Sequence, residues 1–137
     1  MSQREVNQQL VETFFQGVNN HDPEMVVSVL ADDCEIHDEG APHPYDRDGL
    51  YDTHTQFYEH FPDARFDVLH RIIEENGACY IYHASGTGVG EWPEGNVLDG
   101  CRLDLLEMLI AYVDGDKICK LEFHMDTTIL NEQIWGS

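Results

Sequence analysis

The sequence predicts an α+β fold in which a curved antiparallel sheet forms a cone-shaped pocket covered by N-terminal helices. Three observations carry the prediction. Helical periodicity dominates up to His60, period-two alternation dominates from Arg65 onward, and two turn signals, Asn76-Gly77 and Asp114-Gly115, join successive strand patterns. At 137 residues the chain makes one domain, residues 1–137, long enough to bury a core without disulfides or metal.

Val6, Leu10, Val11, Phe14, Phe15 and Val18 recur at helical spacing, which predicts an amphipathic helix from Gln3 to about Asn19. Asp22-Pro23 supplies an N-cap and a first helical residue for a short helix through Leu30. Cys34 to Asp38 reads as a short strand, and Glu39-Gly40-Ala41-Pro42-His43-Pro44 as a loop. Asp48 caps a third helix through about His60, which Pro62 ends. Arg65 to Glu75 alternates with Phe66, Val68, His70 and Ile72 on one side, and Ala78 to about Gly88 is its hairpin partner. An irregular stretch, Glu91 to Gly100, precedes a long strand, Cys101 to Val113. The last strand is Asp116 to Asp126, and Thr127 or Thr128 opens a closing helical turn through Trp135.

Twenty-seven acidic against seven basic residues give a formal charge of −20, which repels nucleic acid and anionic membranes. No stretch is apolar and long enough to span a bilayer, and the polar start Met1-Ser2-Gln3-Arg4-Glu5 is no signal peptide, so a soluble, cytoplasmic protein is expected. Cys34, Cys79, Cys101 and Cys119 lack paired CxxC spacing and read as reduced thiols.

Along the last strand Glu122, His124 and Asp126 share one face, while Leu121, Phe123 and Met125 share the other. The titratable face has two readings, a solvated outer surface or the wall of a cavity. A His two residues before an Asp favours the second, because each group tunes the other's pKa. Phe14, Tyr51, Phe57, Phe61 and Trp92 are candidates to line such a pocket or to serve as ordinary core, and His83 is a pocket donor or a core residue.

The order of elements resembles the nuclear transport factor 2-like superfamily, and within it the SnoaL-like polyketide cyclase group. The matching words are Phe61-Pro62-Asp63, Gly86-Thr87-Gly88-Val89-Gly90-Glu91, Asp114-Gly115-Asp116-Lys117-Ile118 and His124-x-Asp126. The resemblance implies a cofactor-independent cyclase or isomerase acting on a small apolar ketone or polyketide-like ester. Asp126 would be the general acid/base of an intramolecular aldol closure and His124 its partner, with Glu122 on the same face. It implies no metal or organic cofactor, and a homodimer formed through the outer face of the sheet, for which Leu103, Leu105, Leu109 and Ala111 are apolar enough, though they could equally face the helices. Where the family's preceding strand brings Gln and His to the pocket, this chain has Met108 to Tyr112, with Tyr112 the obvious hydrogen-bonding replacement.

Ala31-Asp32-Asp33-Cys34-Glu35-Ile36-His37-Asp38 also resembles the start of the ketosteroid-isomerase branch, whose base falls at Asp38. On that reading Asp38 shuttles a proton, with His37 beside it. The Tyr donor of that branch is replaced by Phe14, and its second acid falls near Met108. A non-catalytic small-ligand-binding protein of the same fold is the competing class. Arg102-x-Asp104 is either part of an epoxide-hydrolase-like acid set or a cross-strand surface ion pair, and the cluster His37-Asp38-Glu39, His43 and Asp46 fits no standard zinc pattern.

Overall fold

The computed structural model describes residues 1–135. Helix α1 (Gln3–Asn19) starts at a capping box in which Ser2 Oγ accepts from Glu5 N–H and the Glu5 carboxylate accepts from Ser2 N–H, both at 3.2 Å. Its apolar stripe of Val11, Phe14, Phe15 and Val18 is buried. Helix α2 (Pro23–Ser28) has Asp22 as N-cap and ends earlier than its apolar pattern suggests, because strand β1 (Leu30–Asp38) takes Leu30 into the sheet opposite Ile118. Helix α3 (Arg47–His60) is capped by Asp46, whose Oδ1 accepts from Gly49 N–H at 2.8 Å, and Asp48 lies in its first turn.

Strands β2 (Arg65–Glu74), β3 (Gly77–Thr87), β4 (Arg102–Asp114) and β5 (Lys117–Met125) form the expected antiparallel meander. The sheet order is β1-β5-β4-β3-β2, and β1 pairs with β5 in parallel, so the open five-stranded sheet is mixed at that edge. The crossover through α3 and three strands separates β1 from its partner in sequence, which is what allows a parallel pair. Gly77 is required where β3 meets β4: a Cβ there would lie 2.1 Å from Ala111 O.

One face of the sheet packs on the helices. Tyr80 and Tyr82 of β3 and Leu103, Leu105, Leu109 and Ala111 of β4 point inward and are at most 6 % exposed. Of the two places open to those four β4 residues, a dimer surface or the helix-facing side, they take the second and are core. Phe15 stacks on Tyr80 at 5.5 Å and meets Tyr82 edge-on at 5.0 Å, which locks α1 to the sheet centre. In β2 an irregularity between Val68 and His70 shifts the alternation. Phe66 and Val68 face inward, opposite Ala84 and Tyr82, but beyond the bulge Arg71 and Ile73 take that side and His70 and Ile72 turn outward.

Beyond Met125, helix α4 (Thr127–Leu130) and a π-helical turn (Asn131–Trp135) fold back over the end of β4. The Gln133 side chain fixes this return by accepting from Asp104 N–H at 2.8 Å and donating to Asp104 O at 2.7 Å. No helix among the described residues is long and apolar enough to cross a membrane.

Candidate functional site

Between the inner sheet face and the helices lies a cavity of about 500 Å³. Its walls are aromatic and aliphatic: Phe14 and Phe15 from α1, Phe57 from α3, Phe66 from β2 and Phe123 from β5. Phe61 stacks on Phe57 at 4.9 Å, and Trp92, from the loop before β4, closes one side against His60 at 5.3 Å. Leu130 and Ile134 of the C-terminal return and the Gly40–Pro44 stretch complete the lining. A largely apolar cavity of this size suits a small organic molecule.

Two carboxyl groups enter it. Glu107 occupies an inward position of β4 opposite Tyr82, and the Tyr82 hydroxyl donates to Glu107 Oε1 at 2.8 Å. Burial pushes the Glu107 carboxyl up to about 7, against the pull of the Tyr82 bond, and the charge of Asp38 adds to the rise. Asp38 is the last residue of β1, opposite Phe123 of β5. Its Oδ1 accepts from Gly40 N–H at 2.8 Å, and the Tyr45 hydroxyl lies 3.4 Å from Oδ2. Burial also raises the Asp38 carboxyl, with the Gly40 and Tyr45 hydrogen bonds opposing the rise. Asp38 in turn pushes the Tyr45 phenol upward, secondary to burial, so the phenol stays protonated as a donor.

His54 of α3 also lines the cavity, edge-on to Phe14 at 6.2 Å, with the Tyr58 hydroxyl 3.4 Å from Nδ1. Burial lowers its pKa to about 4, so it is a neutral imidazole at physiological pH. Among the described residues no Lys or Arg lines the cavity, and no group of three or more His, Cys, Asp or Glu is arranged to hold a metal.

The structure brings Phe14, Phe57, Phe61, Trp92 and Asp38 together in this cavity. It turns the titratable face of β5 outward. There the His124 ring nitrogens donate to Glu39 Oε1 at 2.5 Å and Glu122 Oε1 at 2.9 Å, and the Tyr112 hydroxyl donates to Glu122 Oε2 at 2.6 Å. Met108 pairs with His124 on the same outer side. His83 donates to Asp104, and His37 to Glu35, both across 2.5 Å and both on that face. Asp126 lies beyond the end of β5, exposed, where its Oδ1 accepts from Thr128 and Ile129 N–H at 3.0 and 3.2 Å as the N-cap of α4. Asp126 therefore does not reach the cavity: the strand ends one residue early, and the apolar face of β5, not the titratable one, is the face that lines it. Tyr51 lies on α3 outside the lining.

Sequence reasoning missed Glu107, Tyr82 and Tyr45. The signal for Glu107 was present: it is the lone acid at the buried parity of Leu103-Asp104-Leu105-Leu106-Glu107-Met108-Leu109, between Leu105 and Leu109.

Residues 11–121 match the family model described as a SnoaL-like domain. Among solved structures, a proposed polyketide cyclase from Xanthomonas campestris pv. campestris superposes with a TM-score of 0.85 at 14 % identity, over 96 % of this chain and 98 % of that one. A proposed SnoaL-like polyketide cyclase from Jannaschia sp. CCS1 gives 0.84 at 11 % identity, over 97 % and 94 %. IdmH, a proposed polyketide cyclase from Streptomyces antibioticus, gives 0.78 at 21 % identity, over 96 % and 99 %. At these identities the likeness is one of fold. No curated protein matches the chain.

Proposed function

The chain belongs to the SnoaL-like domain family, and from that premise we propose that its cavity performs cofactor-independent acid/base chemistry on a small apolar ketone or polyketide-like ester. The observation that carries this reading is the pair Asp38 and Glu107, two carboxyls in one apolar cavity, of which Glu107 is pushed up to about 7. Two titratable groups held at different proton affinities divide into a base and an acid. The base role expected at Asp126 passes to Asp38.

In the proposed step, Asp38 takes a proton from the carbon next to the substrate carbonyl, and the C–H electron pair moves toward the carbonyl oxygen. Glu107, protonated below about pH 7, meets the growing negative charge there. Its Oε1 is engaged by Tyr82, which leaves Oε2 to carry the proton. The enolate then takes the proton back from Asp38 at another carbon, as in an isomerisation, or attacks a second carbonyl of the same molecule, as in an aldol closure, whose new alkoxide takes the proton that Asp38 removed. A modestly raised carboxylate suffices only where the carbon acid is already activated, which restricts substrates to ketones with a vinylogous, benzylic or second carbonyl neighbour.

2-Tetralone in deuterated buffer tests the reading. The protein should speed deuterium uptake at the carbon between ring and carbonyl, and Asp38→Asn should abolish that while 2-tetralone still binds. Binding without any acceleration by the wild-type protein would instead make this a small-ligand-binding member of the fold. The outer sheet face, with Ile72 and Leu106 each 57 % exposed and Tyr112 37 % exposed, is the surface we assign to pairing with a second copy.

A further inference from the structure

Asp38 and Glu39 are consecutive, and their side chains leave the end of β1 in opposite directions. Asp38 enters the cavity, while Glu39 lies over the outer side of β5. Regular pairing between β1 and β5 ends at Asp38 opposite Phe123. Past that point Glu39 ties the chain to β5: its N–H donates to Phe123 O at 3.2 Å, its Oε2 accepts from Met125 N–H at 3.4 Å, and its Oε1 accepts from His124 Nδ1 at 2.5 Å. The turn that follows, with Gly40 N–H on Asp38 Oδ1 and Ala41 N–H on Asp38 O at 2.9 Å, inherits that anchorage.

We propose that His124 is a positioning residue for Asp38, acting across the sheet edge by clamping Glu39. This inference rests on the assignment of Asp38 as the base. His124 donates from both ring nitrogens, to Glu39 on one side and Glu122 on the other, so the clamp requires an imidazolium. A neutral ring has one N–H and must present a lone pair to one of the two carboxylates. Glu122 has two further partners, since Tyr112 donates to its Oε2 and Lys120 Nζ lies 3.6 Å away. Loss of the proton takes the charge out of the His124–Glu39 bond and leaves Glu39 to its own N–H on Phe123 O and the long Met125 N–H contact, which loosens the turn that aims Asp38.

The surroundings of His124 support the charged form. Facing it are Glu39 from the turn after β1 and Glu122 on its own strand. His37, register partner of Glu122, is engaged with Glu35. From β4 come Met108 opposite and Leu106 and Glu107 along the same shallow groove, the Glu107 carboxyl being turned inward to Tyr82. The hydrogen bonds from His124 to Glu39 and then Glu122 raise its pKa, and the same contact lowers that of Glu39.

The test has two independent arms. In the first, the Asp38 carboxyl carbon and the Gly40 amide are followed by NMR as pH rises. Both should show an inflection that coincides with the His124 ring titration and vanishes in His124→Gln. Unchanged inflections in His124→Gln, or none in the wild type, overturn the clamp. In the second, 2-tetralone exchange is measured for His124→Gln, Glu39→Gln and the double variant. Each single change should lower kcat several-fold at unchanged KM, and the double should be no worse than either. Full activity of His124→Gln, or additive losses, contradicts coupling through Glu39. A wild-type protein that exchanges no ketone removes the base assignment but leaves the first arm intact, so the two failures are distinguishable.

Discussion

Asp38 and Glu107 flank β5 on the inner side of the sheet, Asp38 in register with Phe123 and Glu107 with Met125, one inward step apart. Their carboxyls share one aromatic cavity, and the charge of Asp38 is felt at Glu107. That arrangement has consequences that do not depend on knowing the substrate.

Glu107 holds its proton more tightly in the folded chain, about 7 against 4.5 for the ordinary group. Its contribution to stability is therefore complete below pH 4.5 and is lost as pH rises through about 7. Glu107→Gln keeps an acceptor for the Tyr82 hydroxyl but cannot ionise. Thermal unfolding should show the variant close to wild type at pH 5 and more stable than wild type at pH 8.

His54 works in the opposite sense. Burial lowers its pKa from 6.5 to about 4, so the stability it contributes is present above pH 6.5 and lost as pH falls toward about 4. In His54→Gln the loss of Tm between pH 6.5 and 4 should be shallower than in the wild type.

Much of this fold is legible in the sequence because the pattern and the packing agree. The α1 stripe, the alternation of β3 and β4, and the two hairpins all follow from burial of one face. The site is less legible. Alternation divides β5 correctly into Leu121, Phe123 and Met125 against Glu122 and His124, but periodicity does not say which face meets the helices. A titratable row looks like chemistry, and here it is the outer surface. The bulge in β2 and the early end of β5 are single-residue events, and each decides where a side chain points. Glu107 escapes notice for the converse reason, being one acid in an apolar run.

Asp126→Ala removes the acceptor for two backbone N–H groups at the start of α4. The loss of an N-cap costs about 1 kcal/mol, so a modest fall in unfolding free energy is expected. Exchange of 2-tetralone should be unaffected, since Asp126 lies outside the cavity; its loss in a still-folded variant would return the base role to this residue.

The cavity carries two carboxyls, and among the described residues no Lys or Arg lines it. An anion entering at high pH meets charge repulsion and finds no cationic partner. At pH 8 methyl 1-naphthylacetate should bind at least about tenfold more tightly than 1-naphthylacetate, a gap that Glu107→Gln should narrow, read by fluorescence titration.

The division of labour between the two carboxyls is tested most directly by a carbon-13 NMR titration of the Asp38 and Glu107 side chains in the unliganded wild-type protein. The account predicts that Glu107 titrates near 7 and that Asp38 titrates apart from it, above its ordinary 3.8. Two carboxyls titrating together in the ordinary range would mean that both are fully hydrated, and the cavity would hold no acid and base at neutral pH.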